Sequence, residues 1–389
     1  MPTMLLSGAS GRPTLADVLP NCLDALQGVE GPLALPAARS AVVLLVDGLG
    51  ASMLRRRAGH ARHIMSGWAK RDTAFSFPST TVAGTTSLTT AAPAGVHGLV
   101  GYTVYDRAAG IVRNQLHGWD VDGMEPAHWQ PAPTVFERLA AAGGPEPYVV
   151  AQSDYTDSGL TRASLRGATY VVGESMADRV EATLDLVAAG QPRLVYCYVA
   201  ELDQAGHRYG WESDEWLIRL EELDAAVGDL VAGLPRDVGL LVTADHGMLD
   251  IPPERQILVD EDSPLLDGVV AVAGEPRLRH LALDDDASAD PASRAAHALA
   301  ERWRESEGKR ATVLLREEAI ASGWYGDPAL VTPAAASRVG DVVVAATKLV
   351  TYYPPGVPDR ARLMIGQHGS ITPEETIVPL IRKGAFARV

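Results

Sequence analysis

Cysteine is nearly missing: Cys22 and Cys197 are the two in 389 residues. Cys197 lies within the apolar run LVYCYVA, so buried thiols are expected rather than a disulfide framework, and cysteine supplies no metal site. Basic charge is also short. The 34 Lys and Arg stand against 49 Asp and Glu, a net charge of -15 at pH 7. A long polyanion would be repelled by that balance, which disfavours nucleic-acid polymers and anionic membranes as partners. Nor does MPTMLLSGASGRPTL contain a basic segment followed by an apolar stretch of signal-peptide length. No later run reaches membrane-spanning length without a charge or a turn. A soluble cytoplasmic protein is the expectation. Repeats at solenoid spacing and low-complexity tracts are absent too.

What is there suits an α/β fold. With 47% hydrophobic residues the chain can bury a large core and carry a second subdomain. Apolar runs ending in small or acidic residues alternate with helical patterns, as in βα units around a mostly buried parallel sheet. AVVLLVDGLG at 41–50 reads as the first central strand, with Asp47 at its carboxyl end. Other strands are expected near 147–151, 168–173, 193–200 and 238–244. Thr134 and Glu137 have capping-box spacing, and 213–233 places Trp216, Leu217, Leu220, Leu223, Val227 and Leu230 on one helix face. After Asp250 the texture changes to a strand-like GVVAVAGEPRLRHLAL, an acidic DDDASAD turn, a helix opened by Asp290 and Pro291, then TVLLREEA and VGDVVVAATKLVTYYP. The expected division is a discontinuous catalytic core, 36–250 with 346–389, and an inserted α+β cap, 251–345.

Four segments place carboxylates, imidazoles and hydroxyls at strand ends, where open α/β sheets hold their ligands. They are VDGLG with Asp47, FPSTTVAGTTSLTT with Thr80 and Thr81, ELDQAGHRYG with Asp203 and His207, and TADHGM with Asp245 and His246. GQHGS with His368 is a fifth, far away in sequence. Each alone is weak, because a strand-end Asp is usually a turn cap and a lone His usually a hydrogen-bonding residue. Together they weigh more. Asp203 and His207 are four apart and reach one point if that turn is helical, and Gly247 permits the tight backbone that lets Asp245 and His246 reach one ion. Oxygen and nitrogen ligands without thiolate suit Zn²⁺ and accept Mn²⁺, and so many ligands suit a pair of divalent ions. A hydroxyl in the Ser79–Thr90 segment, at a helix start, is placed for activation as a nucleophile.

These five motifs, in this order, resemble the nucleotide pyrophosphatase/phosphodiesterase branch of the alkaline phosphatase superfamily, with phosphonoacetate hydrolase a close comparison. The resemblance covers roughly 40–250 and 340–385. It implies an alkaline phosphatase-like sandwich with a central, mostly parallel sheet flanked by helices. Counting back from the HG turn at His97 aligns the nucleophile with Thr81, and Thr80 is the next choice. The resemblance further implies that Asp203, His207 and His368 hold one metal and Asp47, Thr81, Asp245 and His246 the other, with His97 structural. Thr81 would attack phosphorus in line, giving a phosphothreonine that water then hydrolyses. Where the family carries Asn after the HG turn, this chain has Gly101 and then Tyr102, a candidate phosphate-side donor. Val82 replaces an aromatic after the nucleophile. Tyr155, in the loop SDYTDSGLTRA at 153–163, is a candidate stacking group, and residues of 251–345 are also expected to face the substrate. The expected substrate is a small phosphodiester or pyrophosphate. A phosphomonoester or phosphonate hydrolase is the alternative, with a phosphoglycerate mutase-type transferase or a non-catalytic metal-binding protein behind it.

Overall fold

The computed structural model describes residues 11–120, 123–284 and 294–388. The run AVVLLV forms the central strand Ser40–Val46, buried along its whole length. Continuous burial on both faces is what a strand between helical layers requires. It pairs in parallel with Arg193–Val199 on one side and Val238–Thr243 on the other. Seven strands make this sheet, in the order Thr73–Phe75, Ile377–Gly384, Val238–Thr243, Ser40–Val46, Arg193–Val199, Glu146–Ala151, Thr169–Val172. Ile377–Gly384 runs antiparallel to both its neighbours, and the remaining pairs are parallel. The fold is a mixed α/β sandwich with a mostly parallel sheet, as the patterning predicts.

Local chemistry explains the flanking helices. Thr134 caps Val135–Ala142 with both halves of the capping box in place, and Ser213 caps Asp214–Gly233, which buries Trp216, Leu220, Leu223, Val227 and Leu230. Leu217, expected on the same face, is only partly buried against the core.

A second, four-stranded antiparallel sheet has the order Val269–Glu275, Leu278–Leu283, Val342–Ala346, Ala311–Leu315. The run GVVAVAGEPRLRHLAL is therefore a hairpin, not one strand. Pro276 has no N–H to give a ladder, and Gly274 takes a φ of +83° that the turn needs. Helix Arg294–Glu307 packs on this sheet through Leu299, Ala300 and Trp303; Asp290 and Pro291, expected to open it, lie outside the described residues. A further apolar cluster joins Val82, Leu99, Trp324 and Val343, so the small sheet is packed against the helix that begins at Thr81. Among the described residues no helix is long and apolar enough to cross a membrane.

Candidate active site

Four of the five motifs meet at the carboxyl ends of the parallel strands. Ser40–Val46 runs into Asp47 and Gly48, whose φ is +74°. A side chain at Gly48 would meet Asp203 Oδ1 at 3.0 Å and its Cα at 3.1 Å, so glycine lets two carboxylates share one place. Asp203 and His207 lie one turn apart on helix Glu201–Tyr209, with His207 Nε2 3.4 Å from Asp203 Oδ2. Asp245 and His246 follow Val238–Thr243 and are fully buried. Asp245 Oδ1 accepts from Gly48 N–H at 3.2 Å and from His246 N–H at 3.0 Å, which ties the two strand ends together. His368 completes the group from the far end of the chain. Its Nδ1–H donates to the Ser79 carbonyl at 2.8 Å.

Thr81 is the first residue of helix Thr81–Thr90, after the N-cap Thr80. Its Oγ1 is 3.4 Å from each Asp47 carboxylate oxygen and 3.3 Å from His246 Nε2. The helix start can approach this closely because residue 84 is glycine: a Cβ there would stand 2.7 Å from Asp245 Cβ. Of the other hydroxyls, Ser79 donates to the Ser370 carbonyl at 2.7 Å, and Thr80 is buried beside Glu275.

The charge balance fits bound cations. Burial raises the Asp203 carboxyl to about 6 against the opposing His207 charge. Burial and the Asp47 charge hold Asp245 well above the usual carboxylate range. Burial would raise Asp47 as well, but the His246 hydrogen bond and charge outweigh it and hold it low. Burial works against protonating His246, yet Asp245 and Asp47 lift it to about 10. Burial and the His246 and His207 charges push His368 well down. Asp203 Oδ1 and Asp245 Oδ2 are buried with no hydrogen-bond partner. His207 Nδ1–H donates to the Gly366 carbonyl at 2.8 Å as His368 does to Ser79. In the neutral rings both Nε2 atoms then carry lone pairs, and these face each other at 3.2 Å. Such an arrangement is repulsive alone and suits a shared cation. Among the described residues two groups of donor atoms are close enough to hold ions, Asp203 with His207 and His368, and Asp47 with Asp203 and His246. Asp203 belongs to both, and Asp245 Oδ2 is 3.8 Å from His246 Nε2.

A cavity of about 440 Å³ opens from Thr81, Asp47 and Asp203 and is lined by Leu116, Tyr155, Leu160, Tyr170, Tyr198 and Gln204 among others, with no Lys or Arg among the described residues of its wall. Tyr155 is thus placed in it, with the loop at 153–163. Tyr102 is not on this wall; its N–H donates to Glu275 Oε1 at 2.6 Å. Nor does any described residue of 251–345 line it; the small sheet packs against the Thr81 helix instead. His97 is fully buried, its Nε2 3.0 Å from Ser87 Oγ, which fits a structural role.

Tyr198 is the residue that motif reading passes over. It is partly buried on strand Arg193–Val199, lines the cavity and donates its hydroxyl to Asp47 Oδ2. The signal lay in the strand's period of two, which turns Tyr196 and Tyr198 to the same face with Cys197 opposite. Tyr198→Phe is expected to lower kcat/KM about 10–100-fold with the fold intact. An unchanged kcat/KM would show that Asp47 needs no such donor.

A strand-end cluster of carboxylates, imidazoles and one helix-start hydroxyl, on a mostly parallel sheet, defines an alkaline phosphatase-like fold with a site able to bind metal. Solved structures share that fold. Murine ectonucleotide pyrophosphatase/phosphodiesterase 5 superposes with a TM-score of 0.66 at 20% identity, covering 89% of this chain and 88% of that one. An inactive threonine-to-alanine form of it, in complex with AMP, gives 0.65 at 19%, with the same coverage. Phosphonoacetate hydrolase from Sinorhizobium meliloti 1021, in complex with phosphonoformate, gives 0.66 at 20%, covering 90% and 91%. The chain belongs to the type I phosphodiesterase / nucleotide pyrophosphatase family, whose model matches residues 41–371. Curated relatives include an uncharacterized pyrophosphatase/phosphodiesterase of Schizosaccharomyces pombe, 33% identical over 88 residues, 21% of this chain and 18% of the relative. Bovine (Bos taurus) bis(5'-adenosyl)-triphosphatase is 27% identical over 179 residues, 42% of this chain and 37% of the relative. The matched stretches thus span well under half the length of these relatives.

Proposed function

We propose that this protein hydrolyses phosphodiester or pyrophosphate bonds of small molecules, with Thr81 as nucleophile and two divalent ions, Zn²⁺ by preference, as cofactors. The observation that carries this reading is the Thr81 hydroxyl, 3.3 to 3.4 Å from His246 and Asp47 at a helix start, among buried carboxylate oxygens without partners. Asp203, His207 and His368 would hold one ion, and Asp47, Thr81, Asp245 and His246 the other. Bound there, the ions supply Lewis-acid stabilisation of the charge on the phosphoryl oxygens and the leaving oxygen. The Thr81 oxygen attacks phosphorus, forming a phosphothreonine and releasing the alcohol or phosphate, and water then cleaves the new P–O bond. Backbone N–H groups at the start of helix Thr81–Thr90 face the negative charge that develops. Tyr155 and the cavity wall take the group that stays on phosphorus. The inactive threonine-to-alanine form of the murine neighbour supports a catalytic threonine here. Residues 36–250 with 346–389 make the catalytic core in this reading, and 251–345 is an insertion that buttresses it from behind.

A cavity wall whose described residues include no Lys or Arg has no side-chain cation to clamp the second charge of a monoester. Bis(p-nitrophenyl) phosphate is therefore expected to give a higher kcat/KM than p-nitrophenyl phosphate, on the order of tenfold or more from one unpaired charge. A preference for the monoester would overturn the diesterase reading, and equal failure of both in metal-loaded protein would overturn the hydrolase reading.

A further inference from the structure

Glu275 ends the strand Val269–Glu275 of the small sheet, yet it is buried behind the Thr81 helix. Its Oε1 accepts from Tyr102 N–H, and its Oε2 has no formal hydrogen bond. Burial pushes the carboxyl up to about 7, with the Tyr102 N–H and the neighbouring Thr80 hydroxyl opposing the rise. The side-chain stem lies on Gly369, where a Cβ would stand 2.8 Å from Glu275 Cβ and 3.0 Å from its Cγ. Gly369 follows His368 and forms an isolated antiparallel bridge with Ser79, the residue whose carbonyl orients His368. Thr80 comes next and caps the helix that begins at Thr81.

One side chain thus meets the nucleophile's lead-in, the turn at Gly101 and Tyr102, and the loop that carries His368. The contact is reinforced two residues on. Arg277 Nε is 2.8 Å from Glu375 Oε1 with both side chains fully buried, and the same Oε1 accepts from Ser370 N–H at 2.9 Å. The hairpin turn is therefore anchored to the 368–370 loop from both sides.

We propose that Glu275 is a positioning residue for this site, setting where the Thr81 hydroxyl and the His368 imidazole stand relative to one another. It acts through Thr80 and Gly369 and touches no reacting atom. The proposal rests on the roles given to Thr81 and His368 above. A carboxamide of the same shape keeps the acceptor for Tyr102 N–H and offers a donor to Thr80, whereas a carboxylate one methylene shorter reaches neither.

The test uses the full chain loaded with zinc and compares Glu275→Gln, Glu275→Asp and Glu275→Ala. Steady-state kinetics on bis(p-nitrophenyl) phosphate are paired with zinc affinity, measured by competition with a fluorescent chelator, and with a thermal melt. Glu275→Asp and Glu275→Ala are expected to lower kcat and weaken zinc binding, each about 10-fold or more, with KM moved less than about threefold. Glu275→Gln should recover most of both. Wild-type kcat and zinc affinity in Glu275→Asp would overturn the proposal, as would a glutamine variant no better than alanine. If Glu275→Ala does not fold, the aspartate and glutamine variants decide alone. A wild-type chain that binds zinc but cleaves no diester would instead overturn the functional reading, and the zinc arm would still test Glu275.

Discussion

Thr81→Ala protein is expected to keep its fold and lose roughly four to six orders of magnitude in kcat, the scale seen when a covalent nucleophile is removed. The reason is geometric. Among the described residues Thr81 is the one hydroxyl whose oxygen lies within 3.4 Å of both Asp47 oxygens and 3.3 Å of His246 Nε2, at the first residue of its helix. Its neighbours point elsewhere: Thr80 turns toward Glu275, as the adjacent residue of an extended lead-in should, and Ser79 is committed to the Ser370 carbonyl. Thr80→Ala should therefore be much milder. Metal content should fall only in part in the Thr81 variant, since the remaining ligands stay. Acid trapping of a turnover mixture, followed by peptide mapping, is expected to find phosphate on Thr81. Phosphate on Thr80, Ser79 or Ser76 would show that another hydroxyl attacks.

Exhaustive chelation should bring activity to background and also cost stability. Asp47 and Asp245 are buried and Asp203 is partly buried beside them, with one oxygen each of Asp203 and Asp245 buried without a partner, and the His207 and His368 Nε2 atoms face each other at 3.2 Å. Ions that bind only the folded chain stabilise it by about 4 kcal/mol each at a thousand times their Kd, so the melting temperature is expected to drop on the order of 10 °C. Readdition of Zn²⁺ or Mn²⁺ should restore both quantities, and the better restorer identifies the preferred ion. Full activity in protein that elemental analysis finds free of metal would refute the two-ion mechanism.

Much of this site could be read in the sequence because its chemistry is written locally. Asp203 and His207 declare themselves by a spacing of four on a short helix, and Asp245 and His246 by adjacency after an apolar strand. The central strands were legible for the same reason, since a strand buried on both faces must be an apolar run. What stayed hidden depends on contacts between distant segments. Glu275 is an ordinary acid in a strand-like stretch until the hairpin turn brings it to Tyr102. That the described residues of 251–345 lie off the cavity wall was not legible either, because sequence order says nothing about which side of a helix an insertion packs against. Tyr102 stands after the HG turn where the resemblance has Asn, yet it lies off the cavity wall, its N–H held by Glu275. The antiparallel course of Ile377–Gly384 likewise depends on its neighbours rather than on its own pattern.

That strand has a consequence for synthesis. Ile377–Gly384 fills the gap between Thr73–Phe75 and Val238–Thr243, and His368 precedes it by a few residues. While the ribosome is still making the region before His368, the nascent protein holds an open sheet edge at Val238–Thr243 and lacks one imidazole of the group. Such an edge can pair with another chain. In the reading proposed above, capture of an ion by Asp203, His207 and His368 is therefore timed by the emergence of His368 from the ribosome rather than by the folding of the first three hundred residues.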